Sequence, residues 1–166
     1  MRTQIIFRMA MVLMITWSAG NSFGQTMKTD TMPTVVITSK SAVSPRVTNA
    51  FDAKFKNEVN PTWYDIDKKY LVKFMTQDQQ NSALYNKNGY QVYHIKYGNA
   101  DNLPNELSNM VYEKYKGCKI TKTMHIEQES RSIWVVNLES DQNLILTRIE
   151  NDQLQEIQKL RNGATK

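Results

Sequence analysis

The hydrophobic period of this chain changes three times, and that alternation constrains the fold more than any other feature. Val47, Ala50, Phe51 and Phe55 recur at i, i+3, i+4 and i+8, which is one stripe of a helix. Ser44 is a suitable N-cap for it, and Pro45 suits the first helical position because its missing N–H has no partner there anyway. Asn60-Pro61 is expected to end the helix. The period then drops to two. Trp63-Tyr64-Asp65-Ile66 opens a strand, and Tyr70, Val72 and Phe74 alternate with Leu71, Lys73 and Met75. A third strand runs through Ser82-Ala83-Leu84-Tyr85. Asn88-Gly89 reads as a type I′ hairpin turn into a fourth strand, Tyr90 to Tyr97. The helical period returns after Leu103-Pro104, with Leu107, Met110, Val111 and Tyr115 on one stripe and Gly117 as the left-handed cap. Further strands are expected at about 118–128, 131–139 and 142–149. Leu154, Ile157 and Leu160 have a spacing closer to helical, and pattern alone does not decide between helix and strand there.

The two stretches match in order and spacing. The helix positions Val47, Ala50, Phe51 and Phe55 map onto Leu107, Met110, Val111 and Tyr115 at a constant offset of 60. Tyr70, Val72 and Phe74 map onto Trp134, Val136 and Leu138, and Tyr85 onto Ile149, at an offset of 64. The expected fold class is therefore α+β: tandem duplicated units, each a helix plus a four-stranded antiparallel sheet, with the helices packed on one sheet face. The repeats are expected at about 45–100 and 101–160, within a domain spanning 45–166. Residues 25–44 read as a flexible N-terminal tail with one β-prone run, Thr34-Val35-Val36-Ile37-Thr38, able to add as an edge strand.

The ordered set of residues resembles a known family. It comprises Val47-x-x-Ala50-Phe51-x-x-x-Phe55, Trp63, Tyr70-x-Val72-x-Phe74, Ala83-x-Tyr85-Asn86-x-x-Gly89, Leu103-Pro104 and Tyr115-x-Gly117. Together these are similar to the PepSY-like, beta-lactamase-inhibitor-like (BLIP-like) domains of exported bacterial proteins, over roughly residues 46 to 158. The resemblance implies a helix-plus-antiparallel-sheet repeat working in the envelope or outside the cell. It does not imply inhibition of a beta-lactamase, because fold does not fix function. Asn60-Pro61-Thr62 departs from the family's pattern, where a longer apolar start to the first strand is expected.

The N-terminus has the three parts of a cleavable export signal. Arg2 and Arg8 are its only charges, Met9 to Trp17 is apolar apart from Thr16, and Ser18 to Gly24 is small and polar apart from Phe23. Ser22 and Gly24 then mark cleavage before Gln25, leaving 142 of the 166 residues in a periplasmic or secreted protein. The apolar run is too short to span a bilayer, which takes about 20 residues, and no later stretch qualifies, so no stable membrane anchor is expected after cleavage. Without Arg2 and Arg8, the 21 basic residues fall to 19 against 16 acidic ones. So small and dispersed an excess does not point to nucleic acid. Cys118 is the single cysteine; it cannot make an internal disulfide and reads as a small apolar residue near the core.

No set of residues calls for catalysis, a cofactor or a metal. A hydrolase needs a nucleophile, a base and an oxyanion hole, and no Gly-x-Ser-x-Gly is present. His94 and His125 fall on strands of different halves with no shared constellation, and no ligand spacing for zinc appears. Asp65 and Asp67 sit beside Lys68-Lys69 in an expected hairpin turn rather than in a cleft. The expected function is thus that of a non-enzymatic binding module. It recognises a protein or peptide through a sheet face or edge, in the manner of an inhibitor or regulator of an envelope enzyme. The alternative is a periplasmic small-ligand or metal-ion sensor or carrier. Leu71, Met75 and Val135 are the expected apolar anchors of the contact face, with Lys73 and Asn137 at its rim. His125 joins them if Ile120, Met124 and Ile126 point inward.

Overall fold

The computed structural model describes residues 34–77 and 79–163. The expected export signal and its cleavage point lie outside these residues. The described chain runs β1 (Val35–Thr38), α1 (Pro45–Lys54), β2 (Glu58–Ile66), β3 (Lys69–Thr76), β4 (Gln79–Asn86), β5 (Gln91–Gly98), α2 (Asn105–Lys114), β6 (Lys119–Gln128), β7 (Arg131–Glu139), β8 (Asn143–Glu150) and β9 (Gln153–Arg161).

The expectation of two helix-plus-four-strand units is overturned. The strands form one nine-stranded antiparallel sheet in sequence order, β1 to β9. β5 and β6 pair directly, from His94↔Glu127 to Gly98↔Thr123, across the expected boundary between units. The ninth strand is Val35–Thr38, from the run read as part of a tail, paired with Trp63–Ile66. The helices are minor elements of ten residues each. The physical reason is that a four-stranded sheet ends in a row of unpaired backbone N–H and C=O groups. Side-chain periodicity carries no record of whether such a row meets solvent or another strand.

Each helix covers one part of the sheet. Val47, Phe51 and Phe55 of α1 pack with Trp63, Tyr70, Val72, Phe74, Ala83 and Tyr85. Phe51 is fully buried and meets Trp63, Phe74 and Tyr85 edge-on at 5.2, 5.0 and 6.5 Å between ring centroids. Val111 of α2 packs with Ile120, Val136, Leu138, Ile145 and Ile149, and the half-buried Cys118 lies against this second cluster.

Irregular points in the strands account for what pattern misread. β2 begins at Glu58 and runs through Pro61. Its register shifts between Val59 and Thr62, and β1 covers only Trp63 to Ile66, so the missing N–H of Pro61 falls where no ladder bond is needed. β9 is a strand, although Leu154, Ile157 and Leu160 are spaced by three. Its register against β8 slips at Ile157: Glu156 faces Thr147 and Gln158 faces Leu146. One extra residue in a period of two produces that spacing, and it sends Leu154 to the helix side and Leu160 to the other. The type I′ turns are Asp67-Lys68 (φ 42° and 66°) and Asn151-Asp152 (φ 50° and 57°). Asn88-Gly89 instead closes a longer loop, in which Gly89 N–H donates to Asn86 O at 3.0 Å and only Gly89 has positive φ (84°). A Cβ at Gly89 would stand 2.7 Å from Arg46 O.

Phe51→Ala should lower unfolding free energy by about 3–5 kcal/mol, the cost of emptying a fully buried aromatic site. Gly89→Ala should also destabilise, through its positive φ and the contact with Arg46. Urea unfolding measures both, and an unchanged midpoint in either variant contradicts this packing.

Candidate functional site

A sheet nine strands wide spans about 38 Å at ~4.8 Å per strand. Two helices, each about 10 Å across, cannot cover it. One face is therefore partly bare between the helices, and the other carries no helix among the described residues.

The register assigns every strand residue to a face. On the helix side, one row runs Val72, Ala83, His94, Glu127, Ser132, and the next runs Phe74, Asn81, Lys96, His125, Trp134, Ile149. The first row is apolar under α1 and polar from His94 to Ser132; the second is apolar at both ends, under α1 and α2, and polar from Asn81 to His125. Both histidines are in this polar strip, a grouping that sequence reading did not foresee.

Asn81 is 1% exposed, and its orientation is set by two donors: Nδ2 gives hydrogen bonds to Thr76 Oγ1 (2.6 Å) and Gln79 O (2.8 Å). Its Oδ1 therefore accepts from His94 Nε2 at 3.0 Å. His94 is 2% exposed, flanked by Phe55 and Phe74, and its Nδ1 stands 3.3 Å from Glu127 Oε2. Lys96 Nζ donates to Glu127 Oε1 at 3.0 Å, and Lys54 of α1 approaches Oε2 at 3.7 Å. His125 is stacked on Trp134, centroids 4.4 Å apart and planes 12° from parallel. Its Nε2 is 2.8 Å from Ser132 Oγ and its Nδ1 is 3.8 Å from Glu127 Oε1.

Burial lowers the pKa of His94 below its ordinary 6.5, against the pull of Glu127 in the other direction. Burial lowers His125 likewise. For Glu127 burial acts upward, but the hydrogen bond and charge of Lys96, followed by His94, outweigh it and hold the carboxyl at about 2. Ser132, His125 and Glu127 are in the order of a hydrolytic triad. The third link is too long for a hydrogen bond, however, and the carboxylate is committed to Lys96. Among the described residues no group of three or more His, Cys, Asp or Glu could hold a metal ion. A cleft of about 240 Å³ in this strip is bordered by Gln79, Lys96, Asn102, His125 and Trp134.

On the opposite face one row runs Lys73, Ser82, Ile95, Ile126, Ile133, and another Tyr97, Met124, Val135, Arg148. Leu71, Leu84 and Tyr93 form a third. Of the residues expected to contact a partner, Leu71, Lys73, Met75, Val135 and Asn137 share this face. Lys73 is exposed over the Tyr64 ring at 5.3 Å, and the other four are half-buried. Asn137 borders a depression of about 450 Å³ with Lys122, Leu144, Leu146 and Leu160. His125 is not on this face. The register of β6 shifts between Ile120 and Lys122, which puts Thr123, His125 and Glu127 on the helix side with Ile120 and turns Met124 and Ile126 outward. The same bulge hid the histidine cluster from a reading based on strict alternation.

The lowered histidine pKa values set a sign for pH dependence. Neutral His94 and His125 stabilise the fold fully above pH 6.5, and that contribution is lost as pH falls from 6.5 through their depressed folded values. Ionised Glu127 contributes above its ordinary 4.5 and loses its contribution as pH falls toward about 2. His94→Gln keeps a donor for Asn81 and removes one titration. Its urea midpoint should fall less between pH 7 and pH 5 than that of the parent protein, and equal slopes would contradict the assignment.

Comparison with protein-family models finds no match, and no curated protein matches the chain. Solved structures with a similar fold exist. A DUF2874 family protein from Bacteroides uniformis ATCC 8492 is 13% identical with a TM-score of 0.58, over 75% of this chain and 93% of that one. A BLIP-like protein from Bacteroides fragilis NCTC 9343 is 14% identical with a TM-score of 0.59, over 75% and 88%. A protein from Bacteroides eggerthii DSM 20697, provisionally described as periplasmic, is 9% identical with a TM-score of 0.58, over 72% and 88%. At such identities the likeness is one of fold: the chain has a BLIP-like fold, and the likeness extends to no PepSY protein in particular.

Proposed function

We propose that this protein is an exported, non-catalytic binding module that recognises a protein or peptide on the helix-free face of its sheet, as an inhibitor or regulator of an envelope enzyme. One observation carries the reading. An ordinary solvated sheet face is polar, whereas this one presents the half-buried Leu71, Met75, Leu84, Tyr93, Ile95, Tyr97 and Val135, with no layer over them among the described residues. Tyr93 and Tyr97 supply large rigid contact area at low entropic cost. Leu71, Met75 and Val135 serve as anchors and Lys73 and Asn137 as rim, while His125 belongs to the strip on the other side. The BLIP-like fold supports a binding role. The three-part N-terminus and the provisionally periplasmic neighbour support export, and the residue pattern shared with PepSY-like domains supports the same compartment.

The alternative, a carrier of a small ligand or metal ion, calls for an enclosed apolar pocket or a ligand cluster. The cleft between the helices has neither character: its lining is largely polar, with Lys96 already bonded to Glu127 and His125 to Ser132.

Two measurements check the proposal. Material recovered from the envelope or medium should have the intact mass of a chain beginning at or near Gln25; retention of Met1 to Gly24 would contradict export by cleavage. A photo-crosslinking residue at Tyr93 should capture a discrete protein in the envelope, one at the exposed Tyr112 of α2 should not, and Leu71→Asp with Met75→Asp should abolish the Tyr93 product while leaving the melting temperature nearly unchanged. Capture that survives the double substitution removes this face from the function.

A further inference from the structure

The charges of the sheet are divided unevenly between its faces. The strand register places Lys69, Lys73, Lys119, Lys122, Arg131 and Arg148 on the helix-free face, six basic residues. Two acidic strand residues, Glu139 and Glu150, share that face. Glu150 is neutralised where it stands: Arg131 Nε donates to its Oε1 at 2.7 Å, and Arg148 contacts its other oxygen. Glu139 accepts from Asn162 Nδ2 at 3.3 Å near the end of β7. No salt bridge among the described residues holds Lys69, Lys73, Lys119 or Lys122. The acidic residues Asp65, Glu127 and Glu156 lie on the helix side. Lys69 and Lys119 begin their strands, while Lys73 and Lys122 lie within β3 and β6, beside a centre made of Ile95, Met124, Ile126, Ile133 and Val135. Ile133 is 7% exposed and the others are half-buried, so the centre is already ordered and needs little rearrangement to be covered.

We infer that the partner bound on this face is a protein whose contact surface is an apolar patch ringed by carboxylates. The inference rests on the binding role proposed above and names the chemistry of the partner. An apolar centre supplies the buried part of such a contact and unpaired lysines at the rim supply steering and discrimination, because a like-charged partner is repelled while an acidic one is drawn in. Lys119 stands opposite Glu139, but Lys69, Lys73 and Lys122 have no acidic residue opposite them, so the face keeps a basic excess and partner choice here depends on charge as well as shape.

The test uses the full isotope-labelled chain and three soluble peptides that share a Leu-Trp-Leu centre, flanked by glutamates, serines or lysines. The glutamate peptide should shift the resonances of Tyr93, Ile95, Met124 and Val135 and bind at least about tenfold more tightly than the serine peptide at low salt, with the lysine peptide weakest. Lys73→Glu with Lys122→Glu, both at exposed positions, should reverse that order without altering the circular dichroism spectrum. Equal affinity of all three peptides on this face overturns the acidic preference and leaves the binding role standing. Shifts confined to helix-side residues, or none from any peptide, overturn both. Association with phosphatidylglycerol vesicles in the absence of glutamate-peptide binding overturns the inference in favour of a lipid surface.

Discussion

The ladder between β5 and β6 is the interaction on which the rest of this structure depends. From His94↔Glu127 to Gly98↔Thr123 it joins the strands under α1 to those under α2, and without it each group would end in an unpaired edge. Above this seam α1 contributes only its end, Lys54 beside Glu127 and Phe55 beside His94. Its helix-side surface is held mainly by polar side chains: Asn81 to His94, and Glu127 to Lys96 and Lys54. A polar network of this kind is favourable only when its members satisfy one another. Here Asn81 spends both amide hydrogens and its oxygen within the cluster, and the Glu127 carboxylate is surrounded by cationic and imidazole groups.

The arrangement separates two tasks. The helix side holds the two apolar clusters and the ionic strip, and so carries the fold. The other side carries no helix among the described residues and keeps aliphatic and aromatic side chains on neighbouring strands. Substitution of Leu71 or Met75 there touches the core less than substitution of Val72 or Phe74, the core residues that alternate with them on the same strand. Strict alternation along β3 is what makes the division possible.

Much of this was legible in the sequence. The helix stripes Val47-Phe51 and Leu107-Val111, the alternation Tyr70-Val72-Phe74 and the shared face of Leu71, Lys73, Met75, Val135 and Asn137 all follow from period alone. What escaped has a common cause. Bulges at Thr121 and Ile157 each insert one residue into a period of two, reversing the face of every residue beyond them. The first moved His125 to the histidine strip; the second gave β9 a helical spacing. The merging of the strands into a single sheet was not legible either, because backbone pairing between β5 and β6 leaves no mark on side-chain pattern. The contact between His94 and Glu127 spans 33 residues and depends on that same pairing.

Native-state amide hydrogen exchange tests the single sheet most directly. If the β5–β6 seam joins one cooperative structure, its amides should exchange only through the global unfolding that also exposes the amides of β3 and β7, with the same opening free energy and the same dependence on urea. Seam amides that open at distinctly lower free energy, while β3 and β7 stay protected, would mean that two separate units meet at a loose contact, and would contradict the account.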